Sequence, residues 1–167
     1  IAQMYKFYIS TINKKWSHPY LSLEFFYRIH QTMLNRLVLT LAYIGKDCVA
    51  GAINFQKGDC IYGRYWGCNG NYRSLHFELC YYQPIELAIR KRISLFEAGA
   101  QGEHKIQRGF LPELTYSAHW LEHEGFRNSI SSFLEKEKES ILQGIKEFSP
   151  HSPYRDNVSS SAFESRS

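Results

Sequence analysis

The sequence predicts an α/β (α+β) domain on a mixed sheet, an antiparallel meander followed by a β-α-β crossover. Three observations predict it. Three strand-length apolar runs lie between residues 37 and 66, separated by short Gly/Asp turns. A long stretch with helical spacing follows them, and a short strand at Leu95 follows that. A strand–helix–strand connection makes its two strands parallel through a right-handed crossover.

Each element has its own signal. Met4, Phe7, Tyr8 and Ile12 recur at helical spacing, predicting a helix over 3–15. Pro19 interrupts, and Ser22 is placed to cap a second helix with Phe25, Phe26, Ile29 and Met33 on one stripe. Leu37–Ile44 reads as the first strand. Gly45-Lys46-Asp47 turns into Cys48–Phe55, and Lys57-Gly58-Asp59 turns into Cys60–Trp66. Leu75, Leu79, Tyr82, Ile85 and Ile89 hold helical spacing through Ile93, with Pro84 expected to kink or restart the helix. Leu75–Leu79 also alternates, so a short extended piece competes there. Leu95–Ala98 is a short strand ending in Gly99, and the alternation at Tyr116, Ala118 and Trp120 predicts another. Residues 127–147 read as a charged amphipathic helix. The organisation expected is one domain over 1–148 and a disordered polar tail over 149–167.

The bulk numbers bound the function. The 167 residues suffice for one domain with a core, and 44% hydrophobic with 22% charged residues is ordinary for a globular protein. The aromatic content of 16%, with 12 Tyr and 11 Phe, is high and argues for an aromatic-lined cleft. A net charge of +4 suits anionic small molecules and is too weak to imply nucleic acid by itself. Cys48, Cys60, Cys68 and Cys80 contain no C-x-x-C pair, so buried reduced thiols in a cytoplasmic protein are expected and a zinc site is not. No apolar run approaches the roughly 18 residues of a membrane span. Ile1 in place of Met leads us to expect a piece of a longer protein.

Four strings carry a resemblance: Leu75–Tyr82 (LHFELCYY), Phe96–Lys105 (FEAGAQGEHK), Arg108–Pro112 (RGFLP) and Thr115–Trp120 (TYSAHW). Over about residues 5–123 the chain resembles the bacterial FemAB-like proteins, predicted N-acyltransferases of peptidoglycan biosynthesis or recognition. The resemblance implies a GNAT-like acyltransferase fold with its N-terminal part missing. It also implies transfer of an acyl or aminoacyl group to the amine of a small molecule or peptide. The donor would be an acyl-CoA or an aminoacyl-tRNA, used as a substrate, with no tightly bound cofactor. Relatives often carry Gly before the short strand, where this chain has Arg92.

Such chemistry requires a proton acceptor for the amine, donors for the tetrahedral oxyanion and a cradle for the donor's phosphates or ribose. Asn69-Gly70-Asn71-Tyr72-Arg73-Ser74, entering a helix, offers backbone N–H groups and Arg73 to an anion, with Asn69, Gly70, Asn71, Arg73 and Ser74 as the binding candidates. The same loop reads equally as an ordinary turn with Ser74 or Asn71 as helix cap, since no G-x-G-x-x-G fingerprint is present. His76 and Glu78 would be base and orienter on a strand; on a helix, i and i+2 do not share a face. Buried, separately hydrogen-bonded structural roles are the alternative for both. The loop after the short strand, Gly99 to Gly102, brings backbone close to a substrate. Beside it Glu103, His104 and Lys105 supply a carboxylate, an imidazole and an ammonium in succession. His104 or Glu103 would take the amine proton and Lys105 would hold negative charge. His119-Trp120-Leu121-Glu122-His123 spells H-x-x-E-H, a zinc-peptidase pattern, but on a strand the two histidines would stand ~13 Å apart at ~3.3 Å per residue. Two further functions are kept in view: a non-catalytic recognition module of the same fold and a metal hydrolase.

Overall fold

The computed structural model describes residues 1–14, 16–99 and 103–154. They fall into two compact units, one ending at Ala100 and the other starting at Gln101.

In the first unit, helix α1 (Ala2–Lys14) and helix α2 (Leu23–Thr32) precede the strands. A helix of 13 residues is marginal alone in water, so packing has to hold α1. Its stripe Met4, Phe7 and Tyr8 is almost wholly buried, together with Phe26 and Ile29 of α2 and Ile53 of the sheet. Ser22 caps α2 as its sequence position suggests, its Oγ accepting from Phe25 N at 3.2 Å.

Strands β1 (Leu37–Ile44), β2 (Asp47–Lys57) and β3 (Cys60–Cys68) form the expected antiparallel meander. The tight turns between them place Gly45 and Gly58 at φ near +60°, the left-handed region where glycine is least strained. β4 (Leu95–Glu97) then pairs parallel to β3, in the sheet order β1-β2-β3-β4. Asp59, in the turn before β3, fixes where β4 begins. Its carboxylate accepts from Ser94 N at 2.9 Å and from the Ser94 hydroxyl, and its carbonyl accepts from Leu95 N at 3.2 Å.

The crossover is helical, which decides the ambiguity at 75–79. Helix α3 (Leu75–Phe77) runs into a π-helical turn at Glu78–Tyr82 and on into helix α4 (Gln83–Lys91). Pro84 stands in the first turn of α4, so the predicted interruption takes the form of a π turn before a restart. Arg92 ends α4 in the left-handed conformation (φ 55°), the geometry that explains why a glycine suits that place.

The two faces of the sheet are packed differently. Helices α1 and α2 cover the face that carries Ile53, whereas Ala50, Ala52, Cys68 and Leu79 form a second cluster with Trp66, Tyr72 and Leu75. Gly51 and Gly67 are cross-strand partners, and both lie under α1. A Cβ on Gly67 would stand 2.1 Å from the Phe7 carbonyl oxygen, so helix backbone rests directly on the strand. Thr11 Oγ1 and Ser10 Oγ then donate to the Trp66 and Cys68 carbonyls at 2.8 and 3.1 Å.

The second unit holds a 3-10 helix (Glu103–Arg108), irregular chain, helix α5 (Glu124–Phe148) and a 3-10 turn (Ser149–His151). Here one expectation fails. Residues 116–120 form no strand. Alternation builds a strand only when one face can be buried against a partner. Tyr116 and Trp120 are 88% and 78% exposed, and Ser117 Oγ bonds His119 Nε2 at 3.0 Å, a local contact in place of a ladder. The predicted disordered tail lies, from residue 155 on, outside the described residues.

Candidate active site

The region of interest is where β3 and β4 part. Their parallel pairing lasts three positions: Cys60–Leu95, Ile61–Phe96 and Tyr62–Glu97. At the next position β3 carries a bulge: Ile53 faces Tyr65 and Asn54 faces Gly63, leaving Arg64 as the extra residue. Bulges of this kind re-aim side chains and concentrate near active sites. Arg64 turns outward, its guanidinium 4.7 Å from the Tyr65 ring centre.

Asn54 was not among the sequence candidates. It is 2% exposed, and its amide nitrogen has no hydrogen-bond partner among the described residues. The signal for it existed: one carboxamide inside the apolar run Val49 to Phe55. Opposite it, a Cβ on Gly63 would meet the Glu97 carbonyl oxygen at 3.5 Å, the Asn54 Oδ1 at 3.6 Å and the Ala98 Cα at 3.8 Å. These are ordinary contact distances, so neither clash nor a left-handed backbone demands glycine there.

Two of the predicted loops follow neighbouring parallel strands at their carboxyl ends, at different heights: β4 ends beside Tyr62, whereas β3 runs on to Cys68. Gly99 (φ 81°) follows β4. Asn69–Ser74 follows β3, and Asn69 N bonds Val49 O at 3.0 Å. The Tyr72 hydroxyl donates to Asn69 Oδ1 at 2.9 Å, and the Cys68 thiol donates to the Gly70 carbonyl at 3.0 Å. Ser74 occupies the cap position in a left-handed conformation (φ 62°) and makes no side-chain cap bond. Asn71, Arg73 and Ser74 are exposed. Asn69 and Tyr72 also line an open cleft of about 510 Å³ with Gln3, Lys46 and Asp47. The aromatic-lined hollow of the first unit is smaller, about 120 Å³, bounded by Tyr20, Phe25, Phe26, Phe55 and Tyr65.

His76 and Glu78 lie on the helical crossover, where residues i and i+2 point to different faces. The helical crossover sets the His76 ring against Trp66 (4.7 Å between centres), Phe77 and Tyr81, while Glu78 accepts a 2.8 Å bond from Gln83 Nε2. In the second unit Lys105 is half-buried, and burial pulls its ammonium below the usual lysine pKa. Gly102 and the side chains of Glu103 and His104 lie outside the described residues. The cysteines supply no activated nucleophile in Cys60 and Cys80: burial pushes both thiols up, Cys80 to about 12.

The H-x-x-E-H string does not form a chelate. His123 Nδ1 accepts from Phe126 N at 3.2 Å at the start of α5, His119 precedes the helix, and no group of three His, Cys, Asp or Glu among the described residues is placed to hold a metal. No helix of the described residues is long and apolar enough to cross a membrane.

No curated protein matches the chain. The model of the FemAB-like family, described as peptidoglycan biosynthesis/recognition, matches residues 1–156. On that match over nearly the whole chain, this protein belongs to the FemAB-like peptidoglycan biosynthesis/recognition family.

Proposed function

We propose that the protein transfers an acyl or aminoacyl group from an acyl-CoA or aminoacyl-tRNA to an amine of a peptidoglycan precursor, by direct attack. The observation that carries this reading is the parting of two parallel strands, β3 and β4, beside a bulge, with a predicted loop following each strand. Family membership supports a peptidoglycan precursor as the substrate. The amine lone pair attacks the acyl carbonyl carbon, forming the C–N bond, and the carbonyl electron pair moves onto oxygen. Collapse reforms the C=O and breaks the C–S or C–O bond to the leaving group. The proton lost by the amine passes to His104 or Glu103 and on to the departing thiolate or alkoxide. Lys105, desolvated, holds negative charge that develops on the way. The protonated thiols at Cys60 and Cys80 support attack without an acyl-cysteine intermediate at those positions. Arg73 and the amides of Asn69–Ser74 suit the donor's phosphates.

The test is turnover of isotope-labelled donors on an amine-bearing precursor, read by mass spectrometry. Lys105→Ala and His104→Ala should fold normally and lose about 10²-fold or more in rate, as removal of an acid–base or charge-stabilising group does. Unchanged turnover in both removes them from the mechanism. Precursor binding without product from any donor would favour a recognition module instead.

A further inference from the structure

We infer that one end of the sheet in the first unit is a docking surface for an anionic lipid bilayer. Two features of that end carry the inference, and neither rests on the transfer reading.

The first is charge. Register sets which residues share this end. Leu37 pairs with Phe55, Lys57 with Cys60 and Cys60 with Leu95, so the start of β1, the turn from β2 to β3 and the entry to β4 lie side by side. At ~4.8 Å between neighbouring strands, β1 and β4 stand only about 15 Å apart there. Arg36 comes just before β1 and Lys57 ends β2, while Arg90, Lys91 and Arg92 close α4 on the way into β4. All five are exposed, and none is in an ion pair among the described residues. The nearby acids are Glu86, one turn back on α4, and Asp59, whose carboxylate takes both hydrogen bonds of Ser94. Five cations therefore share one end of a chain whose whole net charge is +4.

The second is apolar exposure in the same place. Ile89 belongs to the apolar stripe of the crossover, yet it is 73% exposed where α4 runs past the core. Leu34, in the 3-10 turn Leu34–Arg36, is 60% exposed, and Leu95 at the start of β4 is 40% exposed. A single exposed leucine needs no explanation. Three aliphatic side chains set among five cations do.

The combination selects the partner. Cations alone would suit any polyanion. Aliphatic groups between them gain by entering acyl chains while the guanidinium and ammonium groups stay among anionic headgroups. RNA would call for aromatic rings on which bases stack, and the large apolar residues exposed here are leucine and isoleucine. A second copy of the chain, related by a two-fold axis, would set the five cations against their own kind. Seated on lipid by this end, the chain holds the Asn69–Ser74 loop at the far end of the nine-residue β3. That is about 25 Å from the surface at ~3.3 Å per residue, open to a water-soluble ligand.

Vesicle sedimentation with the full chain tests this. The protein should pellet with phosphatidylcholine vesicles that contain phosphatidylglycerol and stay in solution with phosphatidylcholine alone. The triple variant Lys57→Gln, Arg90→Gln, Lys91→Gln should bind about 10²-fold more weakly. A matching triple on α5, Lys136→Gln, Lys138→Gln, Lys146→Gln, should stay within about threefold of wild type, since distant charges are screened. The double variant Leu34→Ser, Ile89→Ser keeps every charge and should still lose about tenfold. Equal binding to both lipid compositions, equal loss in the two triples, or wild-type binding by the double variant would overturn the inference. Retention on RNA by a protein that ignores the vesicles would overturn it too, and assign the cations to nucleic acid. Should the first triple fail to fold, Ile89→Trp decides: brominated acyl chains should quench its fluorescence, and no quenching beyond wild type sinks the inference. The transfer reading is measured by turnover and stands or falls separately.

Discussion

Burial decides the chemistry of single side chains in this molecule more than charge does. Cys80 sits in the crossover, packed against the Ala50–Leu79 cluster, and desolvation raises its thiol to about 12. Tyr65 is raised to about 12, by desolvation first and by its hydrogen bond with Tyr20 second. Both groups hold their protons longer in the folded chain than in the unfolded one. Their contribution is therefore complete below about pH 9 and lost as pH climbs towards 12. Urea midpoints measured from pH 8 to 11 should fall with rising pH, and Cys80→Ala should show a shallower fall than wild type. An equal slope in the two would show that Cys80 does not contribute. The thiol burial was legible in the sequence, since all four cysteines stood in apolar runs without metal spacing. Asn54 was legible only as one carboxamide in an apolar run, because its place beside a bulge is something periodicity does not encode.

Among the elements, the contact between α1 and β3 is the most exacting. Backbone meets backbone at Gly67, and the Phe7 carbonyl stands where any side chain would go. Rigid helix and central strand cannot shift cheaply, so Gly67→Ala should cost about 3 kcal/mol or more, read as a lowered denaturation midpoint. Gly63→Ala, four residues earlier on the same strand, has room for its methyl group and serves as the control. A near-neutral Gly67→Ala would mean that the helix does not rest on the sheet. The meander was readable from its sequence because glycine turns and apolar runs agree at every step. The same pattern misled at 116–120, where alternation had no partner strand to make it matter. The crossover helix was found, but its π turn was not. That turn precedes Pro84, and the His76 ring beside it lies against Trp66 of β3, a contact distant in sequence that local spacing cannot express.

Across the whole molecule, the first unit carries the sheet, the parted strands and the Asn69–Ser74 loop, and the second carries Lys105 and α5. Most of the first unit could be read from sequence, since its elements follow one another at hairpin and crossover spacings. Gly99, Glu103, His104 and Lys105 are neighbours along the chain and could be named together from it, whereas the bulge at Arg64 is a product of the sheet. Family membership makes peptidoglycan chemistry the frame, and direct transfer to an amine is the central claim within it. Initial rates with donor and amine varied together test that claim most directly, with intact-protein mass recorded during turnover. Direct attack predicts intersecting double-reciprocal lines and no acylated protein at any time. Parallel lines accompanied by a protein carrying one acyl group, or no product from either donor class, would contradict it.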